Sequence, residues 1–123
     1  MLNYLKTEIT EFSENTFGYR HDPIGPLNHL KEEVDELIEA IRAIPFANPD
    51  GEVDPEQFEL IRKNEEEEWA DCLLLLLDSF RIRYGNETSY NKLLHFALSK
   101  LEVIKKRDWN DEPEENGIYR SKK

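Results

Sequence analysis

The sequence predicts an all-α protein, and three observations carry that prediction. Apolar residues recur at helical spacing in four segments, none of those segments alternates as a strand does, and glycine and proline stand where helices would start and stop. With 123 residues the chain has room for one domain with a real core, so the expected architecture is a four-helix bundle.

The first helix is read from Leu2, Leu5, Ile9 and Phe12, and it stops near Gly18. A punctuated stretch follows, from Tyr19 to Pro26, and Pro26 suits the first turn of a second helix. That helix carries Leu27, Leu30, Val34, Leu37, Ile38, Ile41 and Ile44, and Pro45 ends it. Residues 45–55 read as a loop rich in turn formers. A third helix spans about Glu56 to Tyr84, with Gly85 as its stop. The fourth runs from about Ser89 to Lys106 and keeps Tyr90, Leu93, Leu94, Ala97, Leu101 and Ile104 on one side. The helical domain is therefore expected over 1–109, and residues 110–123 are expected to form a polar, loosely held tail. From Leu73 to Leu77 the third helix is apolar all round. This predicts that it is enclosed, either at the centre of the bundle or by a second copy of the chain.

Sixteen basic and twenty-seven acidic side chains leave a net charge of −11. That balance opposes binding to nucleic-acid polymers and to anionic membranes, though not to a small phosphate compound held through a cation. Cys72 is the single cysteine, which excludes an intrachain disulfide framework and a cysteine-rich zinc site. The first residues lack the basic start and apolar stretch of a secretory signal, and the longest apolar run, Cys72 to Leu77, is far too short to span a membrane. The expected location is the cytoplasm. Asn86-Glu87-Thr88 matches a glycosylation sequon that has no use there.

The chemistry lies in two carboxylate pairs of equal spacing, Glu33 with Glu36 and Glu68 with Asp71. A helix turns about 100° per residue, so each pair spans about 60° of its helix. Glu33 lies at the rim of the apolar stripe beside Leu30 and Leu37, whereas Glu32, Asp35 and Glu39 point toward solvent. Glu68 and Asp71 share their side with Cys72, Leu75 and Leu76, whereas Glu66 and Glu67 are rotated away. Carboxylates aimed inward are costly without a compensating charge, and a hard cation with oxygen ligands is the simplest one. Other metal sites fail on spacing. No histidine follows a glutamate by three, as di-iron bundles require, and the loop around Gly51 lacks the acids of an EF-hand. No glycine-rich phosphate loop is present.

Glu32-Glu33-Val34-Asp35-Glu36, followed after a linker by Glu68-Trp69-Ala70-Asp71, resembles the all-α nucleoside triphosphate pyrophosphohydrolases, the MazG-like superfamily. Phe17-Gly18, the run from Gly25 to Glu33, the run from Glu67 to Asp78 and the run from Lys100 to Trp109 resemble its dATP/dGTP diphosphohydrolase-like branch. The resemblance implies a MazG-like bundle completed by oligomerisation into a homodimer or homotetramer. It also implies hydrolysis of a (deoxy)nucleoside triphosphate to monophosphate and pyrophosphate with Mg²⁺. Carried over, it gives the metal to Glu33, Glu36, Glu68 and Asp71, assistance of the attacking water to Glu32, and substrate contacts to His29, Lys100, Lys105, Arg107 and Trp109. Where the family's last segment often carries Asn before the basic pair, this chain has Ile104. That departure supports a second reading, a non-catalytic acidic helical module that binds a partner or senses a nucleotide. Among the remaining residues, Trp69 is expected in the core, Cys72 as an inert buried thiol, and Asp78 as a partner of Arg81 or Arg83.

Overall fold

The computed structural model describes residues 1–20, 22–43 and 54–122. Four helices follow in order: α1 (Leu2–Phe17), α2 (Ile24–Ala43), α3 (Pro55–Tyr84) and α4 (Asn91–Lys105). Among the described residues there is no strand, only an isolated antiparallel bridge between Trp109 and Ser121. The expected loop at 45–55 falls almost wholly outside the described residues. No helix among them is long and apolar enough to cross a membrane.

The helix ends have local causes. Asp54 caps α3 by accepting the Glu56 backbone N–H on Oδ1 at 3.0 Å, and Pro55 opens the first turn. Gly18 and Gly85 end α1 and α3 with φ of +75° and +93° and extended ψ, a combination open essentially to glycine alone. Each glycine N–H still donates back to the last turn, to Glu14 O and Arg81 O.

The chain divides into two compact units, Met1–Tyr90 and Asn91–Lys123. In the first, α2 packs along α3, and α1 meets α3 more sparingly. Its core is small: Ile9, Leu37, Ala40, Leu77, Phe80 and Tyr90 are buried. Phe80 lies tilted against Tyr84 at 4.7 Å and meets Tyr90 edge-on at 6.3 Å. Beside this apolar cluster lies a buried polar one. Arg81 grips Asp78 through Nε at 3.0 Å and NH2 at 2.8 Å, and Arg20 NH2 reaches the other carboxylate oxygen at 2.5 Å. Asp78 therefore pairs with Arg81, as its spacing suggests, and also with Arg20. A buried charge is tolerable only when paired in this way. Asn86 continues the network: its amide accepts from Arg81 NH1 at 2.8 Å and donates to Glu14 at 2.7 Å, while its carbonyl accepts from Lys6 Nζ. The side chain of the sequon is thus fully engaged.

Burial along α3 is uneven, and one expectation needs correction. Leu77 is buried, whereas Leu73, Leu74 and Leu76 are 50%, 41% and 40% exposed. Trp69, expected in the core, is 55% exposed and spends its indole N–H on Glu65 Oε2, one turn earlier, at 2.9 Å. Trp69, Leu73 and Leu76 stand at i, i+4 and i+7 and form one stripe.

In the second unit, α4 has no buried residue. Lys105 pairs with Glu102 at 3.3 Å, and Trp109 Nε1 donates to Ile104 O at 3.2 Å. The segment after Trp109 is not loose. Asn110 N–H bonds Arg120 O, Lys122 N–H bonds Asp108 O and Glu114 N–H bonds Ile118 O, so the tail doubles back through a turn at Asn116-Gly117. Asn-Gly is a turn-forming pair, and that local signal outweighs the polar composition.

Candidate metal centre

Glu33 and Glu36 lie one turn apart on α2, and Glu68 faces them from α3. Each offers a carboxylate oxygen, and those oxygens all lie within 4.8 Å of one another. Glu33 and Glu68 are half-buried and Glu36 is exposed. His29, one turn before Glu33, sets its Nε2 3.0 Å from Glu33 Oε1. The remaining oxygens, Glu33 Oε2 and Glu68 Oε2, are buried and have no hydrogen-bond partner. Buried acceptors without a donor are rare and costly, so the cluster is unbalanced as three carboxylates alone.

The acid strengths respond to this crowding. A hydrogen bond to Glu33, followed by burial and by the charges of Glu33, Glu36 and Asp71, pushes Glu68 up to about 7. Glu36 is raised too, first by its hydrogen bond with Glu33 and then by that residue's charge. Glu33 is lowered, mainly because Glu68 donates to it, with smaller help from Glu36 and His29. Around pH 7 Glu68 is therefore only partly ionised, while the lowered Glu33 carries charge. Burial, then the charges of Glu33, Glu68 and Asp71, raises the Cys72 thiol, which is half-buried rather than fully buried. Held as a thiol, it is no nucleophile.

The donor set fits a hard divalent cation. All three groups offer carboxylate oxygens, the ligand type that hard divalent cations take. A thiophilic metal is a poor match, because the sulfur nearby stays protonated.

No family model, curated protein or solved structure matches this chain.

The other residues singled out in the sequence are placed as follows. Asp71 is exposed and does not join the trio, although its charge is felt by Glu68 and Cys72. Asp71 stands one turn beyond Glu68 and lines a cavity. Glu32 is exposed beside the trio, and its charge helps raise Glu36. Lys100, Lys105, Arg107 and Trp109 belong to the second unit, on α4 or just after it.

The cavity, of about 480 Å³, adjoins the trio through Glu33. Phe12, Phe17, Pro26 and Leu74 supply apolar wall, and Ser13, Arg20 and Asp78, with His29, Glu33 and Asp71, supply the polar part. Phe17 meets Phe12 edge-on at 6.1 Å and carries the Arg20 guanidinium over its face at 4.8 Å. Sequence reasoning missed Ser13 and Arg20. The available signal was a serine four residues after Ile9, on the buried side of α1, where a hydroxyl needs partners.

Proposed function

We propose that this protein is a Mg²⁺-dependent nucleoside triphosphate pyrophosphohydrolase that releases pyrophosphate from a (deoxy)nucleoside triphosphate in the cytoplasm. The observation that carries this reading is the trio itself: Glu33, Glu36 and Glu68 converge from two helices, and two of their buried oxygens lack a partner. The resemblance in the two acidic pairs and in the Lys100–Trp109 run adds the substrate class.

Glu33, Glu36 and Glu68 would hold the cation, and Asp71 would contribute from one turn beyond. Bound there, Mg²⁺ would supply charge neutralisation for phosphate oxygens and activation of a water. The chain's own residues prepare that state. Glu68, raised to about 7, would have to be ionised to act as a ligand, so cation binding would favour its carboxylate form. His29 holds Glu33 Oε1 and leaves Oε2 free. Glu32 lies beside the trio with its carboxylate in solvent, where it would accept the proton of the attacking water. Lys100, Lys105 and Arg107 would meet the triphosphate. The active form is a homodimer or homotetramer, in which a second copy covers the Trp69-Leu73-Leu76 stripe.

The test is a panel of deoxynucleoside triphosphates with Mg²⁺, read by pyrophosphate release. Release should vanish in EDTA and fall at least about a hundredfold in Glu33→Gln and in Glu68→Gln. Turnover that survives both substitutions unchanged removes the assignment of the trio.

A further inference from the structure

We infer that α1 is a gate on the cavity, a helix that undocks by itself while α2 and α3 stay packed, because polar bonds rather than apolar burial hold it down. The inference does not rest on the function proposed above.

α1 supplies Ile9, Phe12, Ser13 and Phe17 to the cavity wall, so undocking removes that wall. Only two of its sixteen residues, Ile9 and Ser13, are buried, and one of them is polar. Its aromatic side chains, Tyr4, Phe12 and Phe17, are exposed. α2 and α3, in contrast, bury Leu37, Ala40, Leu77 and Phe80. Apolar burial is what chiefly holds a helix in place, and α1 has little of it.

What fastens α1 is a set of hydrogen bonds to the last turns of α3 and to Asn86. Ser13 Oγ donates to Asp78 Oδ2 at 3.2 Å and accepts from Arg81 NH2 at 3.1 Å. Glu14 Oε1 accepts from Asn86 Nδ2 at 2.7 Å and stands 3.6 Å from Arg81 NH1. Lys6 Nζ donates to the Asn86 carbonyl. Breaking a buried network is usually costly because it strands a charge. Here it does not. With α1 gone, Arg81 still holds Asp78 at 2.8 Å and Asn86 Oδ1 at 2.8 Å, and Arg20, which follows α1, still holds Asp78 at 2.5 Å. Water can take the places that Ser13 and Glu14 give up. Gly18 stands between α1 and Arg20 with φ of +75°, and a glycine there supplies the backbone freedom of a hinge.

The experiment is native-state amide hydrogen exchange on the intact protein, followed residue by residue. A sixteen-residue helix has marginal stability alone, so its amides exchange once it undocks. Those of Ile9–Ser13 should share one opening and exchange at least about tenfold faster than the slowest amides of α2 and α3. Leu37→Ala weakens the packing of α2 on α3. It should speed the slowest α2 and α3 amides about thirtyfold or more and leave the α1 rates unchanged, since α1 opens without unfolding that pair. If this variant does not fold, Leu37→Val should show the same pattern at about fivefold. Asn86→Ala removes a bond to Glu14 and should speed the α1 amides about tenfold. Equal protection of α1, α2 and α3, or an α1 rate that rises with the others in the Leu37 variants, shows a single cooperative unit and overturns the gate. An α1 rate indifferent to Asn86→Ala overturns the polar fastening.

Discussion

Glu68 is pushed up to about 7 by its hydrogen bond with Glu33, then by burial and by the charges of Glu33, Glu36 and Asp71. This gives the metal-free protein a pH dependence of known sign. A carboxyl whose acid range is raised on folding stabilises the native state fully below its unfolded value of 4.5, and that stabilisation is lost as pH rises through about 7. Glu36 acts in the same direction, while the lowered Glu33 acts oppositely and at lower pH. The melting temperature in EDTA should therefore fall between pH 5 and pH 8, and Glu68→Gln should flatten that slope. Scanning calorimetry of the two proteins across this range checks it, and equal slopes would show that Glu68 is not the group responsible. If the trio takes Mg²⁺ as proposed, binding would release the Glu68 proton, and affinity should rise with pH over the same interval.

The four helices differ in how their ends and faces are specified. α3 starts on a side-chain cap, and Asp54→Ala should cost about 1 kcal/mol, since it orphans the Glu56 N–H. Urea denaturation followed by circular dichroism measures that loss; Asp54→Asn, which keeps a capping oxygen, should recover most of it. α3 also has faces of different fate. Asp71, Leu74, Leu75 and Asp78 line the cavity, while Trp69, Leu73 and Leu76 lie on the opposite side, since a helix turns about 100° per residue. Composition cannot separate them, because both sides read as leucine.

At the scale of the whole molecule, the small core and the exposed Trp69, Leu73 and Leu76 describe a chain with apolar surface still to cover. Burial of such a stripe between two copies is the expected outcome in solution. Sedimentation equilibrium should give at least a dimer, and Leu73→Glu with Leu76→Glu should give a helical monomer. A monomeric unaltered protein would leave the stripe without this explanation. The two compact units explain a different boundary of sequence reasoning. Glu32, Glu33, Glu36, Glu68 and Asp71 lie in Met1–Tyr90, whereas Lys100, Lys105 and Arg107 lie in Asn91–Lys123, so periodicity within each segment says nothing about how phosphate contacts would be assembled.

By itself, the sequence determined the four helices and the stops at Gly18 and Gly85, because helical spacing and glycine act over one or two turns. Of the four acids that about 100° per residue places on the inner sides, Glu33 and Glu68 are half-buried, whereas Glu36 and Asp71 are exposed. Only the tertiary structure decided which of those acids meet. Glu33, Glu36 and Glu68 share one place, and Asp71 turns to the cavity, because that depends on how α2 lies along α3. Tertiary structure likewise joined Ser13, Arg20, Asp78 and Arg81, which come from three separate segments. Their bonds are long-range and side chain to side chain, and no local pattern in the chain records them.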